Sequence, residues 1–350
     1  MEIYYTNQNG IEERIKQELE RCRVPEEKIS EVRSKIVEYI NFIFQKRNSK
    51  IPVNSKLWDF YGKLNAVVET FSNYGLSYNS YLNAAIKQKQ LFYLSPKTIE
   101  RKIRDLVKRF EKYGLKVDDY LKAALKQPSL FYQSSETIEG KIRDLAKRFE
   151  KEGLTIKDYL KAALKQPSLF YQSPETIERK IRDLAKRFEK EGLTVDNYLK
   201  AALKQPPLFC RSSDAIERNI IDLVERFKEE GLTVENYLKA ALKKPSLFCQ
   251  SSKTISQHIR LAQFLVQANV IAIQNDLLQW LIKKPSYLAL GKDNFKLRFY
   301  YAKLLNKPTT LKNLTKPRKA IEAELEKEFG TFDIEKLREI YKNKIFKILI

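Results

Sequence analysis

The sequence predicts an all-α protein, an α-solenoid of tandem 39-residue repeats, each a helix, a turn, a second helix and a tight turn. Three recurrences predict it. Gly-Leu returns at Gly75, Gly114, Gly153, Gly192 and Gly231. Proline returns at Pro128, Pro167, Pro206 and Pro245, and tyrosine at Tyr81, Tyr120, Tyr159, Tyr198 and Tyr237, on the same 39-residue step. A fixed period of this size marks one supersecondary unit that buries its apolar face only by stacking on copies of itself.

The unit is read most easily over residues 95–133. Ser95 is placed to cap a first helix, helix A, and Pro96 suits its first turn. Ile99, Ile103, Leu106 and Phe110 follow at spacings of four, three and four, one apolar stripe on a helix. Gly114 ends helix A, because a left-handed cap costs glycine least, and Leu115 plugs the turn. Lys116-Val117-Asp118-Asp119 opens helix B; the next three copies have Thr155, Thr194 and Thr233 at the capping position. Tyr120, Leu121, Ala124 and Leu125 are its expected apolar face. Pro128 stops it, and Ser129-Leu130-Phe131 is expected to make one tight turn into the core.

Further copies occupy 134–172, 173–211 and 212–250. A divergent copy over 56–94 keeps Phe60, Leu64, Val67 and Phe71 on its stripe but has Lys89 where others have proline. Another, over 251–290, carries Ile255, Ile259 and Leu265, with Pro285 displaced by one inserted residue. The repeats thus span 56–290. Residues 1–55 and 291–350 are expected to be helical caps, the second one basic, covering end faces that would otherwise be exposed.

Composition narrows the function. Of 350 residues, 43% are apolar, enough for a packed core. Lys and Arg number 66 against 44 Asp and Glu, a net +22, and such a surplus suits a polyanionic partner, most often nucleic acid. No run approaches the ~18 apolar residues of a membrane helix, and the N-terminus has no signal- or transit-peptide pattern. Three cysteines, Cys22, Cys210 and Cys249, are too few for a disulfide framework. A cytoplasmic protein with reduced thiols is expected.

Catalytic chemistry finds little to work with. The single histidine, His258, is expected on a polar flank. There is no Cys/His set at metal-ligand spacing and no Gly-rich phosphate loop. An enzyme, a cofactor, a metal and a small-molecule substrate are therefore not expected; a monomer is.

The positive charge is uneven. Residues 95–133 carry +5, 134–172 +2, 173–211 +3, 212–250 −1 and 290–350 +7. On helix B, Lys122 and Lys126 share a face roughly opposite the apolar stripe. The pair recurs as Lys161/Lys165, Lys200/Lys204 and Lys239/Lys243. Stacked at about 10 Å, these lysines would form a ladder able to follow phosphates; the alternative is an ordinary solvated face. Asp118, Asp196 and Glu235, one turn earlier, could blunt it. Arg109, Arg148, Arg187 and Arg226 flank the helix A stripe in every full copy, placed either to brace neighbouring repeats or to reach a phosphate. Lys102, Lys141 and Lys180 share that flank, with Asn219 and His258 in later copies. Variation concentrates at the start of helix B, including Asp119, Asp158, Asn197 and Asn236. These residues can touch base edges but are also ordinary helix-start residues.

The order helix A, Gly-Leu, helix B, then Lys-x-Pro-x-Leu-Phe, seen at Lys126–Phe131, Lys165–Phe170, Lys204–Phe209 and Lys243–Phe248, resembles the mitochondrial transcription termination factor family. The resemblance covers roughly 56–290. It implies two helices and a short tight helix per repeat, and binding of duplex DNA, or structured RNA, along a basic concave groove. Copies 134–172 and 173–211 differ at only eight positions, which points to recent duplication and to a bacterial or cytosolic relative. A nucleic-acid-binding repeat protein, with duplex DNA preferred, is the expectation; an RNA-binding repeat protein and a protein-interaction scaffold are the alternatives.

Overall fold

The computed structural model of the chain describes residues 53–267 and 276–289, with isolated helical positions between 13 and 34 and at 323 and 327. The expected caps, 1–55 and 291–350, lie almost wholly outside the described residues. Among these residues there are twelve α-helices and seven short 3-10 turns, and no strand. Helices A are α1 (Val53–Phe71), α3 (Pro96–Phe110), α5 (Ser135–Arg148), α7 (Pro174–Arg187), α9 (Ser213–Arg226) and α11 (Ser252–Gln267). Helices B are α2 (Tyr78–Lys87), α4 (Val117–Lys126), α6 (Ile156–Lys165), α8 (Val195–Lys204), α10 (Val234–Lys243) and α12 (Leu277–Lys283).

The chain divides into two compact units, Met1–Glu178 and Arg179–Ile350. In the first, α1, α3 and α5 pack side by side, as do α2, α4 and α6. In the second, α9 packs on α11, and α8, α10 and α12 pack in succession. Like therefore stacks on like in each unit, as a repeat solenoid requires.

Local chemistry explains each element. Ser95 and Ser134 accept the backbone N–H of Thr98 and Thr137 at 3.1 and 3.3 Å, and Pro96 fills the first turn of α3. Ile99, Ile103, Leu106 and Phe110 are fully buried. The five Gly-Leu glycines all take positive φ, between 79° and 88°, and close helix A in the left-handed cap conformation. Thr155, Thr194 and Thr233 cap α6, α8 and α10, whereas Lys116 gives α4 no side-chain cap.

The apolar face of helix B differs in one residue from the expected stripe. Tyr120, Leu121, Ala123 and Ala124 are buried, and Leu125 is only half-buried. Helix B is enclosed from two sides, so two small adjacent alanines enter the core and the larger Leu125 moves to its edge. The Tyr120 hydroxyl donates to the Leu130 carbonyl at 2.9 Å, and Tyr159 and Tyr237 do the same to Leu169 and Leu247. This bond ties helix B to the tight turn that follows it. Across copies, Tyr81 meets Phe131 edge-on at 5.2 Å and Tyr120 meets Phe170 at 5.8 Å in the first unit; Tyr198 meets Phe248 at 5.6 Å in the second.

Candidate nucleic-acid interface

All eight ladder lysines are solvent-exposed. In the first unit Lys122, Lys126, Lys161 and Lys165 lie on the adjoining helices α4 and α6; in the second Lys200, Lys204, Lys239 and Lys243 lie on α8 and α10. The two members of each pair differ. Lys122, Lys200 and Lys239 form ion pairs with Asp118, Asp196 and Glu235 one turn earlier, at 3.2, 2.8 and 2.6 Å. The Lys122 ammonium holds the Asp118 carboxyl below its ordinary value. The second lysines, Lys126, Lys165, Lys204 and Lys243, stand in the last turn of their helices. Among the described residues these four have no carboxylate partner, and neither does Lys161, because Lys157 replaces the acid. The unneutralised cations are therefore one per helix B, and two on α6, where Lys157 adds a third exposed charge.

The arginines are arranged differently. Arg109 donates to Asp105 on its own helix at 3.0 Å and, in the next copy, to Glu136 at 2.7 Å and Glu139 at 2.6 Å. Arg148 pairs with Asp144 at 3.0 Å, Glu178 at 2.7 Å and Glu175. Arg187 pairs with Asp183 and Asp214, at 2.8 and 2.7 Å, and with Glu217. Each guanidinium is shared among three carboxylates, and each joins one helix A to the next. The bracing arrangement is thus what the structure contains at these three positions, and their charge is already met. Among the described residues Arg226 pairs only with Asp222, at 2.9 Å.

The helix-start residues are used locally. Asn197 completes a capping box with Thr194: its Oδ1 accepts the Thr194 N–H at 3.0 Å, and its Nδ2 donates to the Gly192 carbonyl at 3.0 Å. The Asp158 carboxylate accepts the Thr155 hydroxyl at 2.6 Å while its N–H is capped by that same oxygen. Asn236 donates its N–H to Thr233 at 3.2 Å. Asp119 occupies the matching place in the first turn of α4.

Four flank residues carry roles that the sequence reading missed. Lys141 and Lys180 donate to the carbonyls of Tyr171 and Cys210 at 2.6 and 2.9 Å, and Lys102 donates to that of Tyr132. Each ties helix A to the end of its own copy, thirty residues on. His258, expected on a polar flank, is instead buried, with Nδ1 2.8 Å from the Leu288 carbonyl. It does the work of those lysines with a shorter arm. The signal available in the sequence was the shared repeat position of Lys102, Lys141, Lys180 and His258.

Among the described residues no group of His, Cys, Asp and Glu could hold a metal ion, and no helix is long and apolar enough to cross a membrane. Cys210 and Cys249 are free and half-buried, and burial raises the Cys249 thiol above its ordinary value.

The family model for mTERF matches residues 22–221, more than half of the chain. The chain belongs to the mTERF family. Membership agrees with the all-helical repeat architecture and implies a nucleic-acid partner for this mTERF protein. No curated protein matches the chain.

Proposed function

We propose that this mTERF-family protein binds duplex DNA through the lysine faces of its helices B, which would line a basic concave surface. The observation that carries the reading is the repeated, exposed and unneutralised lysine at the end of each helix B, namely Lys126, Lys165, Lys204 and Lys243. One such cation every 39 residues, on helices stacked at about 10 Å, suits contact with successive phosphates. Lys122, Lys161, Lys200 and Lys239 widen the stripe, with Lys161 strongest because Lys157 stands four residues before it, where the others have an acid. Arg109, Arg148, Arg187 and Arg226 are assigned to the repeat junctions rather than to this surface.

Identical lysines in every copy position a backbone without reading bases. Asp119, Asp158, Asn197 and Asn236 are occupied with the starts of helices, so broad binding with modest sequence preference is expected. The protein would act as a monomer and without a cofactor.

The test is the salt dependence of binding to a labelled duplex, a single strand and a structured RNA. Log affinity against log salt falls with a slope of about −0.9 per phosphate contacted on duplex DNA. Changing Lys126, Lys165, Lys204 and Lys243 together to Ala should flatten that slope by about 3 to 4. Changing Lys122, Lys200 and Lys239 to Ala should flatten it less, since each is already paired. A slope unaffected by the four-lysine variant would remove the surface from the reading, and tighter binding of RNA than of duplex would overturn the duplex assignment.

A further inference from the structure

The braces between helices A change character at the last described junction, where α9 meets α11. At the α3–α5 junction Glu139 bridges two arginines, Arg109 at 2.6 Å and Arg143 at 2.7 Å, and Glu136 adds a second carboxylate. Repeat equivalence maps these four positions onto Ser256, Arg226, Arg260 and Lys253. Both arginines that the glutamate would bridge are kept. The bridging carboxylate has become a serine, and the second carboxylate a lysine.

The charge reverses as a result. The group comprises the bracing arginine, its own-helix aspartate, the positions of Glu136, Glu139 and Arg143, and that of Tyr113. It carries a net −1, −2 and −3 at the α3–α5, α5–α7 and α7–α9 junctions and +1 at the last, where Asp222 and Glu230 are the remaining acids; the α1–α3 junction also sums to +1, but there Thr70 stands in place of the bracing arginine. Arg226 is accordingly more open than its equivalents, its side chain 45% exposed against 29–30% for Arg109, Arg148 and Arg187. Lys253 and Arg260 are exposed and, among the described residues, have no carboxylate partner. Ser256 is 5% exposed, and among the described residues its hydroxyl has no hydrogen-bond partner. Lys253 also breaks a local rule. It stands in the first turn of α11, as Lys97 does in α3, whereas Glu136, Glu175 and Asp214 oppose the helix dipole favourably in the three helices between. Local rules broken without a compensating contact mark functional positions.

We propose that this junction binds a phosphate group, held by the guanidinium groups of Arg226 and Arg260 and the ammonium of Lys253 in the place that Glu139 and Glu136 take elsewhere. A tetrahedral dianion or a phosphodiester supplies the acceptor oxygens that the two lost carboxylates no longer provide, and forked guanidinium donors match that geometry. The source is a backbone phosphate of the bound nucleic acid or a free phosphate. The first source rests on the nucleic-acid reading above; the site itself does not.

The test restores the ordinary brace. The Ser256→Glu/Lys253→Glu variant recreates the junction chemistry of Arg109, Glu136 and Glu139, and Arg260→Gln changes one exposed side chain. Thermal unfolding is followed with inorganic phosphate against chloride at matched ionic strength. Phosphate should raise the Tm of the natural protein, and of the variant with Lys126, Lys165, Lys204 and Lys243 changed to Ala, while the brace-restored protein should show no such rise and Arg260→Gln a smaller one. Equal shifts in all of them would overturn the proposal. Duplex binding separates the sources. A salt slope shallower by about 0.9 in the brace-restored protein assigns a backbone phosphate. An unchanged slope alongside a lost phosphate effect assigns free phosphate. Failure of the natural protein to bind any nucleic acid would sink the functional reading and leave the phosphate arm to decide the site.

Discussion

Glu139 shows how much one side chain can hold. It accepts from Arg109 in the preceding copy and from Arg143 on its own helix, and the Arg109 hydrogen bond is the main reason its carboxyl lies below the ordinary 4.5. Asp183 and Asp222 are likewise held below 3.8, the first chiefly by the Ser213 hydroxyl and the second chiefly by Arg226. A carboxylate with a lowered folded value contributes stability above its unfolded value and loses it as pH falls through the folded one. Stability should therefore be flat near neutrality and decline below about pH 4.5. Glu139→Gln should cost about 1 kcal/mol or less at pH 7, the range of partly exposed pairs, and should lessen the acid decline. Urea unfolding at pH 7 and pH 4 measures both, and parallel pH profiles for the two proteins would assign the acid limb to other groups. Tyr120 works in the opposite environment. Burial pushes its phenol far above the ordinary value, so it stays a neutral donor to Leu130. Tyr120→Phe keeps the edge-on contact with Phe170 and should lose about 1 kcal/mol, the worth of one buried hydrogen bond; an unchanged midpoint in urea would show that the carbonyl finds another donor.

At the scale of the element, the repeated helix boundaries were legible because each rests on a single residue of restricted chemistry: Ser95 as cap, Pro96 in the first turn, Gly114 in the left-handed cap. Adding a methyl group at Gly153 meets nothing within 4 Å, so Gly153→Ala should cost only the backbone strain of φ near 79°, about 1 kcal/mol. A negligible Tm change would mean that the turn relaxes. The copy over 56–94 shows what the proline adds. Its tight turn, Lys89–Phe92, forms without one, and Gln88 before it sits at φ −130°, ψ 85°, against −129°, 84° for Gln127 before Pro128. The conformation is set by the packing of Leu91 and Phe92 into the core, and proline lowers the entropy of the unfolded chain. Lys89→Pro should accordingly stabilise the protein by about 0.4–1 kcal/mol, read as a higher Tm; a lower Tm would show that the Lys89 N–H or side chain is needed. Leu125 was misplaced because a one-face stripe does not describe a helix enclosed on two sides.

For the whole molecule, the period made the architecture legible, and the family match bears it out. The division of labour among the cations was less so. Lysine and arginine recur with equal regularity, and only the position of carboxylates thirty residues away separates the engaged arginines from the unneutralised lysines. That separation depends on stacking, which no local pattern records. The same stacking predicts the result of removing residues 134–172. Arg109 would then face Glu175 and Glu178, and Tyr120 would face Phe209, so each junction keeps its chemistry. The shortened protein should remain helical by circular dichroism, unfold at a lower temperature, and lose about two phosphate contacts with Lys161 and Lys165, a slope change of about 1.8. A chain that failed to fold would show that the copies are not interchangeable.

The bracing arginines always reach toward the copy that follows, from Arg109 to Glu139, from Arg148 to Glu178 and from Arg187 to Glu217. For heredity this has a direct consequence. A crossover between misaligned gene copies that inserts 39 codons in frame delivers each new arginine together with its recipient. The product is foldable at birth, before any compensating mutation. Two neighbouring copies that differ at only eight positions are what such a locus would leave behind.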